Sequence, residues 1–542
     1  MNASNKIQIR AQVLQSVLKF KSTKIPSDRE VESCIKALSE IEDKEFVINL
    51  LLKEVSGVNS IYDNVLVLIM FNLSDTQTLS ECIFKLLCDC NVPDAKKLFL
   101  INLLREQGQN VDYNFIQSHI SNPDEVIDAE TKKFLDEARV SPETQIDFFD
   151  FYFAVSPDDR NMLINSIVDD YKGESLANIL APFAYFYPEV YINEDIIQAL
   201  FESKSYFALP ALKWCANNCP DKKLAKSADK AYKKMILGGF DSEIKNAQIY
   251  SQLLSKSTPL GFWYSCADGN SNISCVFARE KENGLVQSFF TVFNLHRGPI
   301  SSFGFDEVGR EDFKIILLRF FKSSLHAKVS AGEGKLIFDT LSARGWQNSI
   351  NVPYEFICWR QLTYDIEPYN AKMTDILTKG LEKTGKAKEM IFEILNSDIF
   401  SSWFYKGSEP AEFCNLIMNI EKNADFNIND VNKLLNNALQ ILLSDAKFCA
   451  ELKEKISFQA YILKNSDMQN SANALYSALL DDNLFKLLLE CLLKKSVYFN
   501  FLSLLQNETK ISESIFSKNK SSDIKKAKIA KNVVKIIENN WM

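Results

Sequence analysis

The sequence predicts a mainly α-helical fold with one small α+β module inside it, and three observations carry that expectation. Glycine and proline are scarce, 17 and 14 in 542 residues, about half their usual combined share; an all-β chain of this length would need more turn residues. Apolar residues recur every three or four positions through most of the chain, which is the helical period. One stretch, residues 257–366, replaces that period with short apolar runs joined by Asp-Gly and Asn-Gly, the strongest short hairpin signals. With 46% hydrophobic and 24% charged residues, the composition is that of a globular protein rather than a disordered or collagen-like one. At roughly 150 residues per domain the length favours three to four units. The change of texture places a helical repeat domain at 1–256, the α+β module at 257–366 and a C-terminal helical domain at 367–542.

The residues before 257 read as a train of amphipathic helices. Val31, Cys34, Ile35, Leu38 and Ile41 share one helical face, with Glu32, Lys36 and Glu40 between them. Helix starts are marked by proline followed by an acid, at Pro93-Asp94, Pro123-Asp124, Pro157-Asp158, Pro188-Glu189 and Pro220-Asp221. Proline there loses an N–H that has no helical partner in any case, and the acid offsets the positive end of the helix dipole. Successive starts lie 30, 34, 31 and 32 residues apart, and a further Ser141-Pro142-Glu143 falls mid-step, so each unit is expected to hold two helices. A two-helix unit of that length cannot bury its apolar face alone and must stack on its neighbours, which is the architecture of an α-solenoid.

The helix after Pro220 carries a family signal. In Pro220-Asp221-Lys222-Lys223-Leu224-Ala225-Lys226-Ser227-Ala228-Asp229-Lys230-Ala231-Tyr232-Lys233-Lys234, the small residues Ala225, Ala228 and Ala231 recur every three positions and permit close helix approach. This segment resembles the second helix of a bacterial HEAT repeat. The resemblance spans residues 30–255 and implies a HEAT-like, armadillo-type solenoid of the kind found in bacterial proteins of uncharacterised function; it implies no ligand. The Thr-Pro-Leu-His of ankyrin repeats and the regular Trp, Gly and Tyr of tetratricopeptide repeats are missing.

Within the module, Phe262–Cys266, Ile273–Arg279 and Leu285–Phe293 are expected to form a three-stranded antiparallel meander. Arg297-Gly298-Pro299-Ile300-Ser301-Ser302-Phe303-Gly304 reads as a loop, and a helix is expected from Arg310 to Leu325. The block is also similar to a segment of bacterial HEAT-like proteins, through the hairpin leading into a glycine-containing loop with Phe-Gly and through the closing Val352-Pro353-Tyr354-Glu355-Phe356 with Trp359-Arg360. In that pattern acids precede the loop glycine, whereas Leu295 and His296 stand there in this chain. Beyond Pro368 helices resume, with breaks at Gly407-Ser408-Glu409-Pro410 and at Lys518 to Ser522, and a terminal helix is expected from Asp523 to Asn539.

With 62 Lys+Arg against 70 Asp+Glu the net charge is -8, a field that repels polyanions. Twelve cysteines lie mostly singly inside apolar stretches, where a thiol packs as a small hydrophobe, so reduced thiols are expected. The first ten residues lack the apolar run of a secretory signal, and the apolar run Val65 to Leu73 is far short of the roughly 20 residues that cross a bilayer. Together these predict a cytoplasmic protein. The 39 phenylalanines read as the coding bias of an AT-rich genome.

Few constellations carry chemistry. Gly332-Glu333-Gly334-Lys335 lacks the preceding strand and the Lys-Ser/Thr ending of a phosphate loop and reads as a turn leading into a helix. Cys88-Asp89-Cys90 and the pair Cys215 and Cys219 have no second pair at zinc spacing, so no metal and no cofactor are expected. The one loop constellation is His296 and Arg297 with the acids Asp306 and Glu307. Two basic surfaces complete the set. One is Lys222, Lys226, Lys230 and Lys234, a stripe repeating every four residues; the other is the C-terminal group Lys525, Lys526, Lys528 and Lys531. Such rows are usually solvated faces, and otherwise meet an acidic partner, RNA or an anionic membrane.

The leading functional expectation is a non-enzymatic interaction scaffold or adaptor that offers a helical-repeat surface to a protein partner. Nucleic acid ranks below protein because of the net acidity, in the manner of solenoid DNA glycosylases whose concave basic face grips a duplex. An enzyme with its site in 257–366 is the third reading. Oligomeric state is left open.

Overall fold

A computed structural model describes residues 3–22, 26–57, 60–109, 111–186, 191–205, 208–240, 257–322, 324–348, 351–405, 410–422, 427–512 and 520–540. The chain divides into two compact units, Met1–Glu137 and Ala138–Met542. It is mainly helical with one small antiparallel sheet, and no helix among the described residues is long and apolar enough to cross a membrane.

In the first unit the helix ends are closed by short polar side chains. Asp43, Ser60, Asp75 and Asp112 accept from the backbone N–H three residues ahead, each satisfying a donor that the first helical turn leaves unpaired. The apolar faces meet in one cluster, with Leu38, Val47, Leu51, Leu66, Ile69, Met70, Cys82 and Leu104 wholly buried. The early helix is Asp28–Ser39, and of its expected face Val31, Cys34, Leu38 and Ile41 are buried.

Proline marks helix starts as the dipeptides suggested. Pro93 caps Asp94–Glu106, and Pro123, Pro142 and Pro157 open Pro123–Ala138, Pro142–Ala154 and Pro157–Asp170. Asp221 after Pro220 caps Lys222–Leu237. Pro188 lies outside the described residues.

The second unit is built around the sheet. β1 (Ser257–Ser265), β2 (Asn272–Lys281), β3 (Val286–Asn294) and β4 (Gly298–Val308) form a meander, and β5 (His326–Val329) pairs antiparallel with β1, giving the order β4-β3-β2-β1-β5. The sheet therefore has five strands where three were expected. The segment read as a loop is β4. It is an edge strand, where a proline without an N–H is tolerated, and Pro299 sits at a register shift opposite Phe293. Gly298 starts it at φ +104 with its α-carbon against Gly345, where a side chain would meet backbone. The helix expected from Arg310 to Leu325 ends at Phe321, because the chain must turn to lay down β5.

The Asp-Gly turn works differently from its usual logic. Ser271, not Gly269, has the positive φ, while Asp268 accepts from the N–H groups of Asn270 and Asn272. Gly269 is required because a β-carbon there would overlap the Ser402 carbonyl.

Each sheet face is covered. Phe262, Phe277, Phe289 and Phe293 lie on one face, and Phe338 and Phe356 pack against them from the helices Ala331–Gln347 and Tyr354–Trp359. Val276, Ala278, Val286 and Phe290 lie on the other, against Phe313 and Phe321 of Arg310–Phe321. The helices from Ala387 onward share a separate cluster that includes Trp403, Leu439, Ile456, Leu475, Leu489 and Val497.

Candidate functional site

The structure does not assemble the loop constellation. His296 and Arg297 sit in the β3–β4 turn, where both backbone N–H groups donate to Asn294 Oδ1. Asp306 lies eight residues along β4 from Gly298, roughly 25 Å away at the rise of a strand. His296 Nδ1 faces Glu454 at 3.5 Å, and Arg344 also pairs with Glu454. Burial alone would raise the Glu454 carboxyl, but those two partners outweigh it and hold it below its ordinary range. Asp306 instead bonds Ser141 and Gln287, and burial raises its carboxyl. Glu307 points to the opposite strand face and pairs with Lys281 at 3.1 Å.

Gly332-Glu333-Gly334-Lys335, expected as a turn without a preceding strand, is instead the start of the helix Ala331–Gln347, capped by Ser330 directly after β5; Lys335 points inward to Asp339 and is buried. Among the described residues no three potential metal ligands gather, and all twelve cysteines are free. Lys222, Lys226, Lys230 and Lys234 form an exposed row as the spacing required, and Lys234 lies 5.5 Å from the Phe201 ring. Lys531 is exposed; the side chains of Lys525, Lys526 and Lys528 lie outside the described residues.

A cavity with room for a ligand lies elsewhere in the second unit. It is open to solvent, has a volume of about 410 Å³ and is lined by Phe153, Phe186, Tyr191, Ile300, Tyr354 and Glu355, with residues 351–353, a size typical of small-ligand pockets. Each wall follows from local folding. Ser141 caps Pro142–Ala154 by accepting from Thr144 N–H, and that helix buries Phe148, Phe149 and Tyr152, which leaves Phe153 of its last turn at the cavity. The short helix Tyr354–Trp359 buries Phe356 to Trp359 and leaves Tyr354 and Glu355 at its open start. Ile300, 49% exposed, projects from edge strand β4.

Four rings make the wall. Phe153 stands 4.6 Å from Tyr191, 5.5 Å from Tyr354 and 5.6 Å from Phe186, and Phe186 stands 5.5 Å from Tyr191. The Tyr354 hydroxyl bonds Asp150, and burial first, then that bond, raises the phenol. Glu355 is half-buried, and burial raises its carboxyl, with Asp150 adding to the shift. Among the described residues, neither Glu355 nor Asp150 has a cation within ion-pair distance. The nearby Arg160 stacks over Tyr152 and Phe153 and donates to both of their carbonyls.

Comparison with known proteins finds no match: no family model, no curated protein and no solved structure aligns significantly with the chain. The pocket is therefore read from its own chemistry.

Two further buried cations are structural. Arg360 lies 4.2 Å from the Tyr185 ring and 4.8 Å from Trp346, beside a cavity of about 10 Å³, room for about one water. Lys455, on the helix Ala446–Asn465, donates to the Gly269 carbonyl at 2.8 Å and lies 4.2 Å from the Trp403 ring. Glu454 and Lys455 thus secure the β3–β4 and β1–β2 turns from one helix.

Burial pushes the Lys455 ammonium down to about 7, against the pull of Asp268. Between that value and its ordinary range the unfolded chain binds more protons than the folded one, so this group's contribution to stability rises with pH. Below about pH 7 both states are protonated and the burial penalty is complete. Lys455→Met removes the titration, so its stability relative to wild type should fall by about 2 kcal/mol between pH 7 and pH 9, at 1.36 kcal/mol per unit. Urea unfolding of both proteins at the two pH values measures it, and a pH-independent difference would show that the ammonium keeps its charge in the fold.

Sequence reasoning missed the pocket. Its residues come from four distant segments, and the aromatic run Phe148 to Phe153 with Phe183 and Phe186 mostly fills the core, only Phe153 and Phe186 of it reaching the pocket.

Proposed function

We propose that the chain is a non-enzymatic, cytoplasmic protein-interaction protein that anchors a partner's side chain in the aromatic pocket of its second unit. The observation that carries this reading is an open cavity of about 410 Å³ with four rings and a carboxylate, Glu355, that has no cation within ion-pair distance among the described residues. Buried anchors in such pockets dominate the binding energy of protein interfaces. Glu355 in its lining and Asp150 bonded to Tyr354, with a net charge of -8, disfavour a phosphate backbone. The HEAT-like resemblance belongs to the same proposal: stacked helix pairs would give a partner an extended surface.

The test replaces exposed Asn351, at the pocket rim, with a photo-crosslinking residue in the full chain, and Leu318, which is 61% exposed on another helix, as the control. In lysate of the source cells, Asn351 should yield a discrete protein adduct that the control does not, and Ile300→Arg, which fills the pocket from its rim, should remove it. Adducts to nucleic acid, or adducts indifferent to Ile300→Arg, would overturn the reading.

A further inference from the structure

We propose that the side chain taken up by this pocket is an arginine, presented by the partner protein. This rests on the anchoring reading above and names its occupant.

Three features select the guanidinium. The faces of Phe153, Phe186, Tyr191 and Tyr354 carry negative quadrupole charge and attract a cation within about 6 Å of a ring centre. Glu355 lines the cavity and Asp150 is bonded to the Tyr354 hydroxyl at its edge, so a cation that enters meets carboxylate as well as ring. A half-buried carboxylate with no cation is costly to keep ionised, and an incoming positive charge relieves that cost; the raised Glu355 carboxyl expresses the same unmet demand. Shape then separates the two basic side chains. A guanidinium is flat, weakly hydrated and able to bond both oxygens of one carboxylate while stacked on a ring. An ammonium is compact, strongly hydrated and cannot do both. The same unit already stacks two of its own guanidinium groups on aromatic rings, Arg160 on Tyr152 and Phe153, and Arg360 on Tyr185 and Trp346.

The probes are single blocked amino acids, N-acetylarginine amide and its lysine, citrulline and norleucine counterparts, titrated into the full chain and read by saturation-transfer NMR. Citrulline has arginine's shape without its charge, so that comparison needs no variant. Arginine should bind most tightly, lysine next, and citrulline, which keeps N–H donors but not the charge, about tenfold more weakly than arginine, the scale of a partly desolvated cation–π attraction. Glu355→Gln should reduce the preference of arginine over citrulline several-fold, the rings and Asp150 keeping the rest, and leave norleucine binding and the far-ultraviolet dichroism unchanged. Equal binding of arginine and citrulline by the wild type, a preference left unchanged by Glu355→Gln, or tighter binding of lysine than of arginine would overturn the proposal. Crosslinking at Asn351 to a partner segment without arginine would overturn it too, yet leave the anchoring reading standing.

Discussion

Removing residues 521–542 should lower the melting temperature of the second unit by several degrees at least. The terminal helix Lys520–Asn540 buries Ile529, Ala530, Val533, Val534 and Ile537 in the cluster that also holds Leu489, Leu493 and Val497. These positions are spaced by one, three, one and three residues, a single stripe along the helix, while Lys531 and Lys535 between them are exposed. Tyr498 adds a hydrogen bond to Glu538. Truncating one buried isoleucine to alanine typically costs about 2–5 kcal/mol, and deletion removes the whole stripe and uncovers the helix Asp482–Ser512 that it packs on. All six tryptophans lie beyond residue 137 and five of them remain after the truncation, so tryptophan fluorescence follows the second unit alone in both proteins. An unchanged melt would mean that the segment is a basic binding tail instead, and then a salt-sensitive interaction should be what disappears, since exposed charge attraction is screened over about 8–10 Å at physiological ionic strength.

That helix also shows what the sequence makes legible. Ile and Val at helical spacing specify a buried stripe wherever the helix docks, so Val534 and Ile537 are legible as buried without knowing the partner helix; the side chains of Ile524 and Ala527, apolar at similar spacing, lie outside the described residues. Proline-acid starts were readable for the same reason: the first helical turn has a local chemistry. β4 was not, because Gly298, Pro299 and Ser301 are loop residues by composition, and only their edge position, paired to β3 alone, allows them in a strand. β5 is four residues long, too short to carry an alternation. The boundary at Glu137 and Ala138 falls without any change of composition, whereas the change at 257 marks the start of β1 inside the larger unit. The pocket is the extreme case. Phe153, Ile300 and Glu355 are brought together by the packing of Pro142–Ala154 and Tyr354–Trp359 against each other and against β4, and no local pattern encodes that.

Cutting the buried ion pair of the sheet should cost about 3–5 kcal/mol, the usual penalty for leaving one charge buried alone. Arg279 of β2 is 1% exposed and pairs with Asp365 through two parallel bonds, both 2.7 Å. Its remaining donors reach Ser257 Oγ, the Ser257 carbonyl and the Leu362 carbonyl, so all five N–H groups are used. The guanidinium thereby ties the start of β1 and the 3-10 turn Arg360–Thr363 to the middle of the sheet. Asp365→Ala strands the cation where water scarcely reaches and should be the more damaging change. Arg279→Met leaves Asp365, itself 21% exposed, able to regain water, and should cost less. Urea unfolding followed by tryptophan fluorescence gives both values. A loss below about 1 kcal/mol for Asp365→Ala, the range of exposed pairs, would mean that solvent reaches the guanidinium and that the two carbonyls, not the carboxylate, hold it in place.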